Sequence, residues 1–310
     1  MASRNQLDAR LLKSSGLKQR FIFSGKFRRY FSWRHFVDPL FIILGFWQSF
    51  FILVRFRPQV VFSKGGYVSL PVVLAAFLLR RKIILHESDA RMGLANRMSA
   101  KLANKVCVAF PGLLKHGKKY VFTGNPIRQE ILGGSRKKGY ELTGFNSKLP
   151  VILVWGGSQG AQEINGLLMA NLDRFTHYFQ VIHIAGNKSP LSTTKNYASF
   201  EYIEDLKDIY ALTDMVIGRA GANSLFEIAW LQLPNVIVPL SNADQLQNAR
   251  YFEEKKASVV YHKGQNLFDI TWNLWQNEDQ KARMKQHLKE LSSPHATEEI
   301  ADLILNHCQS

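Results

Sequence analysis

The chain has 310 residues, room for two domains of ordinary size, and 46% of them are hydrophobic, as in a globular protein with true cores. Its net charge of +16 is unevenly spread: residues 1–150 hold 27 Lys and Arg against 6 Asp and Glu, and residues 151–310 hold 13 against 18. A half so basic faces a polyanion, either nucleic acid or an anionic membrane. Two distant cysteines, Cys107 and Cys308, argue against a disulfide framework or a Cys/His metal cluster, and fit a reducing cytosol.

The opening MASRNQLDARLLKSSG lacks the apolar centre of a signal peptide. The first strong pattern is PLFIILGFWQSFFILV, Pro39–Val54. The stretch between Asp38 and Arg55 makes about 24 Å of helix, short of a hydrocarbon core of roughly 30 Å. Pro58 then stops it and QVVFS follows as a strand, which disfavours a membrane span. Besides that disfavoured span, two placements are open. The helix is buried against a sheet, or it lies in a membrane interface with its Phe/Trp face inward, flanked by Arg28, Arg29, Arg34, Arg55 and Arg57.

Short apolar runs then alternate with helical patterns. They are PQVVFS, RKIILHE, NKVCVAF and KYVFTGN in the first half. In the second they are LPVILVWGG, FQVIHIAG, FEYIED, DMVIGRAG, PNVIVPL and ASVVYH. This is the pattern of parallel α/β units. Gly133–Pro150 is rich in Gly, Lys and Ser without periodicity and is the linker candidate. The expected organisation is an N-terminal domain over 1–134, a linker over 135–149 and a C-terminal domain over 150–310, its last helix free to pack back on the first domain. The first clear strand is Val60–Phe62. No strand and glycine turn precede it, so the first domain reads as lacking its leading βα unit.

Three loops of the second half carry chemistry. In VILVWGGSQGAQEINGLL, Gly156 and Gly157 turn the backbone sharply and Ser158 opens a helix whose free N–H groups favour an anion. The loop is neither GxGxxG nor a Walker lysine loop, and a tight turn with a capping serine accounts for it as well. RAGANSLFEIA repeats the device, and two such turns can grip a diphosphate from both sides. Glu227 can then accept hydrogen bonds from a ribose diol, or simply complement the positive end of its helix. After a further strand, Asp244 and Gln245 offer acceptors and a donor to sugar hydroxyls, although Asp244 alone makes an ordinary helix cap. No DxD-like pair stands beside a strand end, so no metal is expected.

Six motifs in order over nearly the whole chain carry a resemblance. They are SKGGYVSLP (Ser63–Pro71), HESDARMGLANRMSAK (His86–Lys101), FTGNPIR (Phe122–Arg128), GGSQGA (Gly156–Ala161), RAGANSLFEIA (Arg219–Ala229) and DQLQNA (Asp244–Ala249). The chain resembles the MurG family of undecaprenyldiphospho-muramoylpentapeptide β-N-acetylglucosaminyltransferases, in glycosyltransferase family 28. The resemblance implies a GT-B fold, two Rossmann-like α/β domains with parallel sheets facing across a cleft, here with the N-terminal domain incomplete. It implies an inverting transfer of GlcNAc from UDP-GlcNAc to the C4 hydroxyl of lipid-linked muramoyl-pentapeptide (lipid I to lipid II) in peptidoglycan synthesis.

The resemblance also implies roles. Gly157, Ser158, Gln159, Gly160, Arg219, Ala220 and Gly221 would lie near the donor diphosphate, Arg128 would face the nucleotide, Glu227 would hold the ribose, and Asp244 and Gln245 the GlcNAc hydroxyls. Gly65, Gly66, Tyr67, Asp89 and Asn96 would serve the acceptor. The base must be near neutral; read from the residues, His86 and Glu87 at the end of RKIILHE are the candidates, a structural role being the alternative for His86, because the family's own histidine belongs to the loop this chain lacks. UDP-GlcNAc enters as substrate, with no cofactor and no donor-site metal. The basic half would meet the anionic cytoplasmic face of the cell membrane peripherally, with other cell-wall synthesis proteins as further partners.

Two departures stand against the pattern. Asp89 replaces a usual Asn, and nothing matches the family's opening GGTGGH-type loop at the acceptor diphosphate. The alternatives are therefore a GT-B transferase acting on another lipid, such as diacylglycerol, or an inactive donor-binding subunit. A nucleic-acid-binding protein is disfavoured: the aromatics of 36–56 form one apolar block instead of interleaving with the basic residues.

Overall fold

The computed structural model describes residues 1–3, 16, 18–25, 38–156, 162–186, 193–240 and 243–308. They form two compact units, Met1–Gly124 with His295–Ser310, and Asn125–Pro294.

In the first unit, β1 (Ala2–Ser3) pairs in parallel with β2 (Phe21–Ile22). A separate parallel sheet follows in chain order: β3 (Val60–Ser63), β4 (Lys82–Glu87), β5 (Lys105–Val108) and β6 (Tyr120–Phe122). Parallel strands are covered on both faces, and the central ones show it: Ile83, Ile84, Leu85, Val106, Cys107 and Val108 are at most 1% exposed. One face packs on helices α1 (Asp38–Phe56), α2 (Ser69–Leu78) and α3 (Leu94–Leu102) through Leu53, Val73, Ile83, Leu85 and Ala100. The other face meets the chain's last helix, Ala296–Cys308, through Ile84, Cys107 and Ile300.

Helix α1 is longer than its apolar run suggests, 19 residues. It passes the length and composition expected of a membrane span, with a mean hydropathy of 1.7 over its most apolar window, of which only 17% is buried. It is buried against the core along one face only. Its inner face is small, Gly45 and Ser49 with Leu53, and a Cβ at Gly45 would collide with the Phe23 carbonyl. Its outer face presents Leu40, Ile43, Leu44, Trp47 and Phe51, each between 42% and 64% exposed. Arg57, in the left-handed region at φ 51°, turns the chain at once into β3, which belongs to the sheet.

Among the described residues the second unit holds seven strands: β7 (Val151–Trp155), β8 (Gln180–Ile184), β9 (Thr193–Thr194), β10 (Tyr197–Phe200), β11 (Met215–Gly218), β12 (Asn235–Ile237) and β13 (Val259–Val260). They run in the order β13-β12-β11-β7-β8-β10-β9, parallel except for the β9–β10 pair. The helices are α4 (Arg136–Thr143), α5 (Gln162–Met169), α6 (Leu172–Tyr178), α7 (Lys207–Leu212), α8 (Ala222–Leu231), α9 (Ala243–Glu254), α10 (Leu267–Gln276) and α11 (Glu278–Leu291).

Two local expectations are corrected. The stretch 135–149 lies inside the second unit and carries α4, capped by Ser135 and closed by Gly144 in the left-handed region. Its packing face is built from small residues: a Cβ on Gly139 would stand 2.5 Å from the Asp208 carbonyl oxygen and 2.8 Å from Leu212 of α7. Contact of that kind leaves no apolar period to read. The strand expected at FEYIED lies three residues earlier, Tyr197–Phe200, because its register is set by pairing with Val181–Ile184. Tyr202, beyond the strand's end, is 58% exposed.

Candidate donor and acceptor sites

Strand order reverses between β11 and β7 in the second unit, and open α/β sheets bind ligands outside the carboxyl ends of strands at such a switch point. The two glycine turns leave those adjacent ends, where Trp155 is in register with Gly218. Gly218 has to be glycine, since a Cβ there would stand 2.7 Å from Trp155 Nε1. The first turn, with Gly157, Ser158, Gln159 and Gly160, lies outside the described residues.

The second turn is built in detail. Ala220 is buried, and its carbonyl accepts a hydrogen bond from Asn248 Nδ2 of α9 at 3.0 Å. Gly221 is the N-cap of α8 and supplies no side chain to its first-turn N–H groups. That terminus is a positive partial charge open to an anion. Arg219 is 6% exposed, and its Nη1 donates to Glu163 Oε2 at 2.8 Å and to the Val238 carbonyl at 3.0 Å. The guanidinium thereby ties the ends of β11 and β12 to α5.

Glu227 lies on α8 at 7% exposure. Its Oε2 accepts from the Tyr210 hydroxyl at 2.8 Å, and its Oε1 pairs with Arg128 Nη2 at 3.5 Å. Arg128 belongs to this same unit, and its side chain is 56% exposed. Asp244 and Gln245 are half-buried in the first turn of α9, where Gln245 Oε1 accepts from the Leu240 N–H at 3.1 Å. The unit thus brings together a helix N-terminus, a buried carboxylate and, on α9, a carboxylate beside an amide. Asn248 falls within the DQLQNA motif without a role assigned to it, and Tyr210 escapes a motif search. Asn248 lies one turn beyond Asp244 and could have been found from helical spacing, but Tyr210 stands in a helix with no motif.

The first unit holds its own cluster at the end of β4. Glu87 is 3% exposed; its Oε1 accepts from the Asp89 N–H at 3.0 Å and its Oε2 from Asn96 Nδ2 at 2.8 Å. Burial outweighs these bonds and pushes its carboxyl from 4.5 up to about 7. Asn96 also underlies the Gly65–Gly66 turn, both residues at positive φ: a Cβ on Gly65 would stand 2.5 Å from the Asn96 amide atoms. Tyr67 and Asp89 are half-buried beside these groups in sequence. His86 is fully enclosed at 0% exposure, its Nε2 hydrogen-bonded to the Gly124 carbonyl at 3.0 Å. Burial first, then the nearby Lys64 charge, against that bond, lower its pKa to about 4. A histidine so enclosed is held neutral at pH 7, while the equally buried Glu87 beside it in sequence has its carboxyl raised toward neutrality.

Among the described residues no group of three or more His, Cys, Asp or Glu is placed to hold a metal ion.

Known proteins add independent findings. Residues 1–108 match the glycosyltransferase family 28 N-terminal domain, and residues 151–304 match the glycosyltransferase family 28 C-terminal domain. A curated relative from Legionella pneumophila (strain Lens) is 43% identical over 293 residues, covering 91% of this chain and 81% of its own length. It is named UDP-N-acetylglucosamine–N-acetylmuramyl-(pentapeptide) pyrophosphoryl-undecaprenol N-acetylglucosamine transferase. A relative of the same name from Clostridium botulinum (strain 657 / Type Ba4) is 42% identical over 275 residues, 86% of this chain and 77% of its own. The crystal structure of Acinetobacter baumannii MurG superposes with a TM-score of 0.72 at 23% identity, covering 98% of this chain and 89% of that one. With both domain models matched in order and 43% identity sustained over 91% of its length, the chain belongs to glycosyltransferase family 28.

Proposed function

We propose that this chain is an inverting transferase that moves GlcNAc from UDP-GlcNAc to the C4 hydroxyl of undecaprenyl-linked muramoyl-pentapeptide, making lipid II from lipid I in peptidoglycan synthesis. The observation that carries the reading is the 43% identity, over 91% of the chain, to a transferase named for that donor and that acceptor.

In the second unit, the uncapped N-terminus of α8 and the glycine turn before it receive the donor diphosphate, whose charge grows as UDP departs. Helix ends and cations can supply this stabilisation without a divalent ion. Glu227 accepts hydrogen bonds from the ribose, Arg128 stays beside the nucleotide, and Asp244 with Gln245 reads the GlcNAc hydroxyls. Arg219 acts behind the site, holding α5 through Glu163. In the first unit, Glu87, near neutral in pKa, takes the proton of the acceptor hydroxyl; a base is most useful when its pKa lies near the working pH. Asn96 and the Gly65–Gly66 turn hold that carboxylate and shape the acceptor side, with Tyr67 and Asp89 adjoining.

The exposed apolar face of α1 and the basic character of the first half support a peripheral seat on the cytoplasmic face of the membrane. There the chain meets its lipid-linked acceptor and other cell-wall synthesis proteins.

Calorimetry with UDP-GlcNAc tests the donor half. Glu227→Ala should weaken binding by about 1–3 kcal/mol, the cost of stranding hydrogen-bond partners. Unchanged affinity would return Glu227 to a role at the helix end.

A further inference from the structure

Tyr210 is among the largest fully buried side chains, 2% exposed, and it stands on α7, a helix without motif residues. A buried tyrosine hydroxyl needs a partner, and backbone carbonyls commonly serve. Here the partner is the carboxylate of Glu227, 17 residues on, at 2.8 Å. The ring is fixed from behind: it meets Trp155 edge-to-face, centroids 5.8 Å apart and planes at 87°, and Trp155 in turn lies against the bare Cα of Gly218. Burial and the Glu227 charge raise the phenol's pKa well above its usual 10, so the hydroxyl is a permanent donor at neutral pH.

A carboxylate has two oxygens with about four acceptor positions. Tyr210 occupies one of them on Oε2 from the buried side. Arg128 approaches Oε1 at 3.5 Å, on a side chain that is more than half exposed. The remaining lone pairs keep a fixed direction because the inner oxygen is anchored. Resting on the reading of Glu227 as the ribose acceptor, we propose that Tyr210 is a positioning residue that locks the Glu227 carboxylate in the orientation that accepts the donor's ribose hydroxyls. It thereby sets the preference for ribonucleotide over deoxyribonucleotide donors. Tyr210 touches no substrate in this account; it acts through Glu227.

The test measures dissociation constants of UDP and 2′-deoxy-UDP by calorimetry on the full chain, for wild type, Tyr210→Phe and Glu227→Gln. Phe retains the ring and its packing on Trp155, and near-UV circular dichroism checks that the core is kept. Wild type should favour UDP over 2′-deoxy-UDP by about tenfold, the worth of one hydrogen bond to a charged group. Glu227→Gln should erase most of that preference. Tyr210→Phe should erase a comparable share while weakening 2′-deoxy-UDP little. Equal weakening of both nucleotides by Tyr210→Phe, or an unchanged ratio, would make Tyr210 a structural hydroxyl and overturn the proposal. An unchanged ratio in Glu227→Gln would instead overturn the ribose reading of Glu227, and the role of Tyr210 with it.

Discussion

Replacing Glu87 by Gln removes one ionisation from an enclosed site while keeping its shape. The Asp89 N–H still finds an oxygen, and Asn96 can turn its amide so that its Oδ1, without a partner among the described residues, accepts from the new Gln amide. What changes is the proton. The folded chain holds Glu87 at about 7 against 4.5 when unperturbed, so between those values the folded state binds more protons than the unfolded one. Stability from this group is therefore full below the unfolded pKa and is lost as pH rises through the folded one. At 1.36 kcal/mol per pKa unit, the loss between pH 4.5 and pH 8 is about 3 kcal/mol. The lowered pKa of His86 acts in the opposite sense, from about 4 to 6.5, but it is common to both proteins and cancels in the difference. Urea unfolding of wild type and Glu87→Gln at pH 5, 6, 7 and 8 should show the variant gaining about 2.5 kcal/mol relative to wild type across that range. The pH–rate profile of wild type should rise through an apparent pKa near 7, and the variant should lose that limb along with about 10²–10⁴-fold in rate. A stability difference that is flat in pH would refute the account of Glu87 as a carboxyl raised by burial.

Gly65→Ala should be costly, because it combines a positive φ with a Cβ placed 2.5 Å from Asn96. About 1–3 kcal/mol of destabilisation is expected in chemical denaturation, together with lower turnover through the disturbed Asn96–Glu87 bond. Trp47→Glu with Phe51→Glu, on the exposed face of α1, should release the protein from anionic vesicles in sedimentation assays and leave UDP-GlcNAc affinity unchanged. Retention of the double variant would refute the interfacial placement, and high salt should release the wild type because basic attraction fades within about 10 Å at 0.1 M ionic strength. On the proposed reading, in which helix ends and cations take the metal's role at the leaving diphosphate, turnover should be the same with chelator and with Mn²⁺; loss in chelator with recovery in Mn²⁺ would contradict this.

The sheets and the glycine turn after β11 were legible in the sequence for one reason. Parallel strands buried on two faces read as continuous apolar runs, and the glycines that end them mark where the backbone must turn at the carboxyl edge. Glu227 and the uncapped start of α8 were visible there too. Side-chain direction was not. Arg219 stands among glycine-turn residues, yet it points inward to Glu163 and Val238, because a partner 56 residues away decides its rotamer. Tyr210 was silent for the same reason: its partner belongs to the next helix. The helix at Arg136–Thr143 escaped notice because its contact with α7 is made through Gly139, which breaks any apolar period. His86 and Glu87 adjoin in sequence but diverge in space. Alternation along β4 puts them on opposite faces, and only the fold tells which carries a near-neutral pKa.

The most direct test of the central claim is transfer itself. The full chain is incubated with radiolabelled UDP-GlcNAc and, in separate vesicles, undecaprenyl-linked muramoyl-pentapeptide or diacylglycerol, and the lipid products are separated and their linkage assigned by NMR. The account predicts label only in the muramoyl lipid, β-linked at C4, and none when Glu227→Ala is used at donor concentrations near the wild-type KM. Label in diacylglycerol, or UDP-GlcNAc binding without any labelled muramoyl lipid, would contradict it.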